Sequence, residues 1–173
     1  MSDIRLVRPS IDLKESFLEA LAEFQTEGLA WVMDLDINEL RRNFPAFVAS
    51  ELTKRTRWTK DTPVEETELW AVMDGVYVGR ISIRHRLNAD LHVMGGHIGY
   101  DTRPTYRGRG IATRMLELAL PIARDLGIRE ALLTCNDDNR ASIKVIEKNG
   151  GILRETKPQL EGGPLKRYYL IPL

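Results

Sequence analysis

The sequence predicts an α+β, or mixed α/β, fold built from antiparallel hairpins followed by a strand–helix–strand crossover. The hairpin signal is Asp74-Gly75, which joins two runs rich in β-branched and aromatic residues. The crossover signal is a helix with one apolar stripe that lies between two β-rich runs after residue 97. With 173 residues, 43% of them apolar, the chain is expected to form a single domain over residues 1–173.

Charge and cysteine content exclude several classes of partner and site. Lys plus Arg and Asp plus Glu each total 25, so no global field attracts nucleic acid or anionic lipid, and any anion site must be local. The single cysteine, Cys135, excludes an intrachain disulfide, and three histidines without metal-like spacing predict no metal site. The N-terminus is rich in charge, and no apolar run approaches the ~20 residues of a membrane span. We therefore expect a cytoplasmic protein with neither nucleic acid nor membrane as a partner.

The N-terminal part begins with a short strand and a helix. Alternating apolar and basic residues over 4–8 predict a strand that ends before Pro9. Apolar residues at helical spacing over 11–27 predict an amphipathic helix that stops at Gly28. Residues 29–63 are expected to hold one or two helices, interrupted at Pro45.

From residue 68 the hydrophobic period changes to that of strands. The two runs around the Asp74-Gly75 turn are followed by a polar, glycine-bearing connection and by a third strand over 97–103. The next helix has one apolar stripe, and Pro121 is expected to kink it or remove a hydrogen bond. The stripe consists of Ile111, Met115, Ala119, Ile122 and Leu126. A buried strand, a short helix capped by Asp138 or Asn139, and two β runs complete the chain.

Four arginines surround two closely spaced glycines where this helix begins; they are Arg103, Arg107, Arg109 and Arg114. Gly108 and Gly110 remove side chains where an oxygen must approach, and the helix start adds unpaired N–H groups, so the segment predicts an anion site. The NTPase phosphate loop does not fit, and a dinucleotide fingerprint lacks its third glycine because Thr113 stands there. A tight turn with solvated arginines is the alternative that these residues leave open.

This segment resembles the signature of the GNAT family of acyl-CoA-dependent N-acetyltransferases, Arg/Gln-x-x-Gly-x-Gly/Ala, over residues 107–112. The second family element, a strand, an Asn and a short helix ending in Lys-x-Gly, is matched over 132–151, with Asn139, Ser142, Lys148 and Gly150 in register. The resemblance covers residues 68–173 and extends to the first strand and helix. It implies a GNAT-like central sheet, mixed and mostly antiparallel, with one splayed strand pair and flanking helices.

The resemblance also implies acetyl-CoA as the cofactor and acyl donor. The main-chain amides of the loop would hold the pyrophosphate; they belong to Arg107, Gly108, Arg109, Gly110, Ile111 and Ala112. Thr102 would pair with the pantetheine arm through its main chain, and Asn139 would hydrogen-bond the arm from the other side. The strands that carry Thr102 and Cys135 would splay to admit the thioester, with Arg109 and Arg114 as further phosphate contacts.

The implied reaction is transfer of an acetyl group to a primary amine of a small-molecule or peptide acceptor. The tyrosine that serves many relatives as general acid is replaced here by Ile146, and the usual base positions correspond to Gly96 and Ile98. His97 is a candidate base and Tyr100 a candidate acid, while a structural role is the more common one for a strand histidine and for a core tyrosine. An acyl-CoA-binding sensor or docking module without turnover is therefore the alternative function.

The acceptor and the oligomeric state stay open at this stage. Acidic residues in the unmatched region 29–63 either attract a cationic amine or form a solvated helix start; they are Asp34, Asp36 and Glu39. Cys135 is either a thiol at the cleft or a small buried apolar residue. The β-rich C-terminus around Tyr168–Leu170 is compatible with strand pairing across a homodimer.

Overall fold

The computed structural model describes residues 3–54, 62–159 and 162–173. Within these ranges, one sheet has four antiparallel strands in sequence order, with the bounds β1 Ile4–Val7, β2 Glu66–Met73, β3 Val76–Arg84 and β4 Ile98–Thr102. A second sheet has the bounds β5 Glu130–Asn136, β6 Ile152–Lys157 and β7 Lys166–Pro172, with β7 between the other two. The predicted α+β class is confirmed.

The hairpin between β2 and β3 forms where the sequence predicted it. Met73 pairs with Val76, which leaves Asp74 and Gly75 as a two-residue turn. Both turn residues have positive φ, 52° and 79°, the backbone that matches the right-handed twist of the two strands. Local turn chemistry therefore fixes the register of the central hairpin.

Helices cover both faces of the first sheet. Their bounds are α1 Lys14–Thr26, α2 Ile37–Arg42, α3 Phe44–Leu52, α4 Ala89–Val93, α5 Ile111–Asp125 and α6 Arg140–Lys148. Short 3-10 helices lie at Ile11–Leu13, Ala30–Val32 and Pro104–Tyr106. The helices divide the apolar residues into two clusters, one on each side of the sheet.

Alternation along the strands explains the two clusters. Trp70 of β2 points into the cluster formed with α1, where its ring lies 4.7 Å from that of Phe17. Its neighbours Leu69 and Ala71 point to the opposite face and join Met115 of α5. Because successive side chains of a strand point to opposite faces, the buried strands carry apolar residues at consecutive positions.

Two local predictions differ from the structure, and a third is made more specific. The helix α5 continues through Pro121 to Asp125, and Pro121 has no N–H to donate there, so the expected loss of one hydrogen bond does not end the helix. The connection after the hairpin contains the short helix α4, which begins where Asn88 accepts a hydrogen bond from the Leu91 N–H. Pro45 does not interrupt a helix; it lies in the first turn of α3, where its missing N–H costs nothing.

The two sheets meet where β4 approaches β5. An isolated bridge joins Gly96 to Leu133, and the His97 N–H donates to the Leu132 carbonyl at 2.7 Å. Beyond this junction the strands belong to different sheets, and a cavity lies between Tyr100 and Cys135. This is the splayed strand pair that the fold prediction included.

The junction depends on Gly96, and this generates a prediction for its stability. A Cβ at this residue would lie 2.3 Å from the Leu132 carbonyl oxygen, and φ is +65°. We expect Gly96→Ala to lower the free energy of unfolding by about 3 kcal/mol, since strain and a backbone clash add. Urea denaturation measures the change.

Gly28→Ala is the matched control, because Gly28 has a φ of +73° and nothing within 4 Å of the added Cβ. It should cost only about 1 kcal/mol, from the left-handed backbone alone. Equal losses for the two variants would show that the junction does not depend on the close approach of the two strands.

Candidate active site

The loop between β4 and α5 presents main-chain donors. Gly108 and Gly110 both have a φ of +77°, a region that other residues rarely adopt, and no atom lies within 4 Å of a Cβ placed on either. Gly110 therefore serves the backbone conformation rather than close packing. As the N-cap of α5 it offers no side-chain acceptor, so the first N–H groups of the helix stay available for a ligand.

A cavity of about 740 Å³ lies against this loop, and we call it the loop cavity. Its walls are the end of β4, the loop with the first turn of α5, and the exposed side of α6. It is lined by Leu29, Tyr100–Thr102, Arg107, Gly108, Gly110–Thr113, Asn139, Ala141, Ser142, Lys144, Val145 and Lys148. The two sequence elements expected to share one ligand thus face each other across one cavity.

Two arginines of the loop are held by carboxylates of α1 and of its C-cap residue Glu27. Arg103 contacts Glu23 at 2.8 Å and Glu19 at 3.2 Å. Arg107 forms two hydrogen bonds of 2.8 Å with the carboxylate of Glu27. We expected the four arginines to raise the local positive potential; instead, carboxylates neutralise these two.

The other two arginines contribute less than expected. Arg114 pairs with Glu117 one turn further along α5, at 2.9 Å. Arg109 stacks on the ring of Tyr106 and donates to the Thr105 carbonyl, and it is not among the lining residues of the loop cavity. Anion attraction therefore falls mainly to the directed N–H groups.

Glu23 contributes most to fixing the loop backbone. Its carboxylate accepts a hydrogen bond from the Thr105 N–H at 3.1 Å and from the Thr105 hydroxyl at 3.0 Å, besides the bond from Arg103. Burial alone would raise the pKa of Glu23, but these donors outweigh it and lower the pKa. The side chain stays ionised and anchors the segment before the glycines.

A second cavity of about 290 Å³, which we call the strand cleft, separates β4 from β5. It is lined by Arg84, Gly95, Ile98–Tyr100, Leu133–Asn136, Asn139, Ser142, Ile146 and Lys166. Tyr100, Asn139 and Ser142 line both the strand cleft and the loop cavity. The two cavities are thus adjacent and share one wall.

A tyrosine and a serine meet at this shared wall. The hydroxyl groups of Tyr100 and Ser142 lie 2.8 Å apart. Burial is the main cause that raises the pKa of Tyr100 to about 12, so the phenol keeps its proton at neutral pH. The Ser142 N–H is held by the Asn139 side chain at 3.0 Å, which caps α6. The pair is a proton donor held in a fixed position.

Comparison with protein families identifies the family of this chain. Residues 5–152 match the family model described as an acetyltransferase (GNAT) domain. The chain belongs to the GNAT family. It is therefore an acetyl-CoA-dependent acyltransferase, with acetyl-CoA as the acyl donor.

Solved structures agree on the fold. The microcin self-immunity acetyltransferase MccE, in complex with acetyl-CoA and AMP, is 15% identical with a TM-score of 0.70, over 99% of this chain and 93% of its own. RimL, a ribosomal alpha-N-protein acetyltransferase in complex with coenzyme A, is 16% identical with a TM-score of 0.71, over 100% and 96%. The acetyltransferase yncA from Salmonella typhimurium, solved with acetyl-CoA, is 18% identical with a TM-score of 0.63, over 99% and 93%. None of the curated proteins matches the sequence.

Most of the residues that the GNAT motif assigned to coenzyme A lie around one cavity. Seven line the loop cavity: Thr102, Arg107, Gly108, Gly110, Ile111, Ala112 and Asn139. Arg109 lies between these residues in the chain but is not among those that line the loop cavity. Thr102 ends a strand that pairs with β3 on one edge only, which leaves its other edge open beside the cavity.

Sequence reasoning missed two lysines. Lys144 and Lys148 of α6 line the loop cavity opposite the glycines. Their spacing of four residues places both on one face of the helix, a signal that the sequence contained. Neither has a carboxylate partner within the described part of the chain, which makes them stronger phosphate candidates than the arginines.

His97, the candidate base, lies elsewhere. Its Nδ1 accepts a hydrogen bond from the Leu132 N–H at 2.9 Å, and its ring lines a cavity beside Tyr168 rather than the strand cleft. Burial is the main cause that lowers the pKa of His97 to about 4, and the neighbouring His92 and Arg84 add to the lowering. The ring is neutral and connects the two sheets, so its position suits a structural role.

The remaining candidates fall into the wall of the cleft or outside it. Cys135 and Ile146 are both buried and line the strand cleft, and burial is the main cause that raises the pKa of the Cys135 thiol. Asp36 caps α2 by accepting from the Asn38 and Glu39 N–H groups. Neither Asp34 nor Glu39 lines the cleft, so the acidic stretch belongs to the start of α2.

The described residues form neither a metal-ligating cluster nor a helix suited to crossing a bilayer. Across residues 3–54, 62–159 and 162–173, no group of three or more potential metal-ligating side chains comes together. In the same ranges, none of the helices has the length and apolar character needed to cross a bilayer.

The bonds from α1 to the loop generate a prediction for coenzyme A binding. Glu23→Ala removes the acceptor of three loop bonds, so the amides should lose their fixed direction. We expect the dissociation constant for coenzyme A to rise about tenfold, since each hydrogen bond to a charged group contributes roughly 1.5–3 kcal/mol and part of this maintains the loop. Isothermal titration calorimetry measures the change.

Glu15→Ala is the matched control on the same helix, because Glu15 pairs with the exposed Arg41 far from the loop. Its affinity for coenzyme A should equal that of the wild type. Identical affinities for all three proteins would contradict the role given to Glu23.

Proposed function

We propose that the protein transfers the acetyl group of acetyl-CoA to a primary amine of a small-molecule or peptide acceptor. The observation that carries this proposal is the continuity between the loop cavity and the strand cleft. A thioester whose carrier lies in the loop cavity would reach the shared wall at Tyr100 and Ser142, where the cleft admits the acceptor.

The loop cavity suits coenzyme A in its chemistry. The uncapped N-terminus of α5 and the amides of residues 107–112 would hold the pyrophosphate, with Lys144 and Lys148 as the facing cations. The open edge of β4 at Thr102 would hold the pantetheine arm through main-chain bonds, with Asn139 opposite. When bound, acetyl-CoA supplies an acetyl group activated as a thioester.

Two protons would move during the transfer: the amine nitrogen loses one, and the leaving sulfur gains one. The amine nitrogen bonds to the acetyl carbon as the carbon–sulfur bond breaks, and the nitrogen loses a proton to water. The leaving sulfur takes a proton from the Tyr100 hydroxyl. Tyr100 regains a proton from the Ser142 hydroxyl, 2.8 Å away, as that hydroxyl takes up a proton from water. Tyr100 from β4 would thus replace the tyrosine that relatives carry at the position of Ile146.

The acceptor must arrive as a neutral amine. Arg84 and Lys166 line the strand cleft, and within the described residues no carboxylate does. Cationic surroundings disfavour the ammonium form and lower its pKa, which assists loss of its proton without a dedicated base. Holding both reactants together supplies much of the remaining acceleration, roughly 7–11 kcal/mol in favourable cases.

An acyl-CoA-binding module without turnover is the weaker candidate. Such a module requires a closed acceptor side, whereas Lys166 at the cleft is only partly buried. The Tyr100–Ser142 pair also has no purpose in binding alone.

A screen of primary amines, with release of free coenzyme A as the readout, tests the function. We expect release with at least one class among amino acids, peptides, polyamines and aminoglycosides. Gly110→Glu places an anion in the loop and should abolish coenzyme A binding, while Gly110→Ala carries the same backbone strain without the charge and should retain it. Tight binding without release for any amine would contradict the proposal.

The same assay tests the proton donor. Tyr100→Phe keeps the ring and removes the hydroxyl, so kcat should fall about 100-fold with little change in the KM for acetyl-CoA. Tyr106→Phe is the control, because that ring packs under Arg109 outside the cleft. An unchanged kcat for Tyr100→Phe would remove this tyrosine from the mechanism.

A further inference from the structure

We propose that the acceptor carries a carboxylate beside its primary amine, as a free α-amino acid does, and that Arg84 and Lys166 bind this carboxylate in the strand cleft. The inference rests on the proposed amine acetylation and adds its substrate class. Three features of the cleft support it: a fixed guanidinium, a partly buried ammonium without a carboxylate partner, and a small volume.

Arg84 reaches the cleft because the neighbouring strand has no side chain in its way. A Cβ at Gly99 would lie 3.3 Å from Nη2 and 3.4 Å from Nη1 of Arg84, so any other residue there would crowd the guanidinium. The arginine is 7% exposed, and its Nη1 donates to the Gly96 carbonyl at 3.1 Å. The group is therefore oriented before a ligand arrives.

Glu66 keeps this buried arginine charged. Burial raises the pKa of Glu66, but the guanidinium of Arg84 is the main opposing cause, and the net effect is a lowered pKa. Glu66 does not line the strand cleft, so its negative charge does not form part of the cleft wall. Arg84 thus lines the cleft with a charged guanidinium whose balancing carboxylate, that of Glu66, lies outside the cleft wall.

Lys166 provides the second positive charge. It begins β7, pairs with Asn136 in the register, and is partly buried beside Cys135. Burial is the main cause that lowers the pKa of Lys166. No carboxylate of the described chain pairs with its ammonium, so a carboxylate from the acceptor would relieve a desolvation cost that the protein alone leaves in place.

The cleft volume favours a small acceptor. About 290 Å³ lies at the lower end of the range for ligand sites, and the transferred acetyl group must share this space. A free amino acid places its carboxylate two bonds from the amine nitrogen. A peptide N-terminus has a neutral amide at that point, which would offer no negative charge to either cation.

The test compares each L-amino acid with its own C-terminal amide at saturating acetyl-CoA, using release of free coenzyme A. We expect kcat/KM to be at least tenfold higher for the best amino acid than for its amide. Lys166→Met keeps the length of the side chain and should remove most of this preference by raising the KM for the acid alone. Lys157→Met is the matched control, because Lys157 lies directly opposite Lys166 in the β6–β7 register, pairs with Glu155, and does not line the cleft.

Arg84→Lys, which keeps the charge but not the fork of donors, should weaken the preference for the acid while the protein stays folded by circular dichroism. Equal kcat/KM for acids and amides in the wild type would overturn the inference and leave amine acetylation standing. An equal loss of kcat for both series in Lys166→Met would also overturn it, because it would assign the cations to the reacting acetyl oxygen. Release with neither series but with another amine would overturn it in the same way, whereas no release with any amine would reject the proposed function itself.

Discussion

Glu19 and Glu23 of α1 and Glu27, the C-cap that follows it, are spaced four residues apart, and their carboxylates hold the segment between β4 and α5. A loop with glycines at positive φ has little of its own to fix its backbone, because glycine adopts either sign of φ readily. The direction of the loop N–H groups therefore depends on a helix about 80 residues earlier in the chain. The position of the donors at the loop cavity follows from this tertiary constraint.

The same ion pairs determine what kind of anion site the loop forms. With Arg103 and Arg107 engaged by carboxylates, the loop has directed amides at its centre rather than free guanidinium groups. Directed amides recognise the shape of a diphosphate, and their effect is short in range, whereas free surface arginines attract any polyanion and respond strongly to salt. A chain with no net charge thus obtains a local site without a general affinity for nucleic acid.

Sequence reasoning succeeded where the determining residues are neighbours in the chain. The Asp74-Gly75 turn and the apolar stripe of α5 are local patterns, and each indicated its element correctly, although Leu126 at the end of the stripe is 37% exposed. Gly108 and Gly110 line the loop cavity, and their role in holding an anion stays a prediction. Contacts between distant residues carry no such signal. The meeting of Tyr100 with Ser142 spans 42 positions, and nothing near either residue indicates it.

His97 shows the same limit of sequence reasoning, here for a candidate catalytic residue. A histidine on a strand beside the expected cleft has the chemistry of a base, and strand alternation alone does not say what its ring contacts. In the structure, Nδ1 of His97 accepts a hydrogen bond from the Leu132 N–H, so the ring acts in place of a main-chain acceptor at the junction of the sheets. His97, the candidate base, instead connects the two sheets beside the cleft in which catalysis is proposed.

Positive charge is distributed over the two cavities in a similar way. Lys144 and Lys148 stand at the far end of the loop cavity, Lys166 and Arg84 stand at the strand cleft, and the uncharged Tyr100–Ser142 pair lies between them. Under the proposed function, each substrate would be anchored by an anionic group away from its reacting atom. The reacting atoms would then meet at the wall with the fewest charges, where a neutral amine is favoured and a protonated phenol faces the leaving sulfur. Positive charge at both ends therefore positions the substrates without stabilising the protonated amine, which is the form that cannot react.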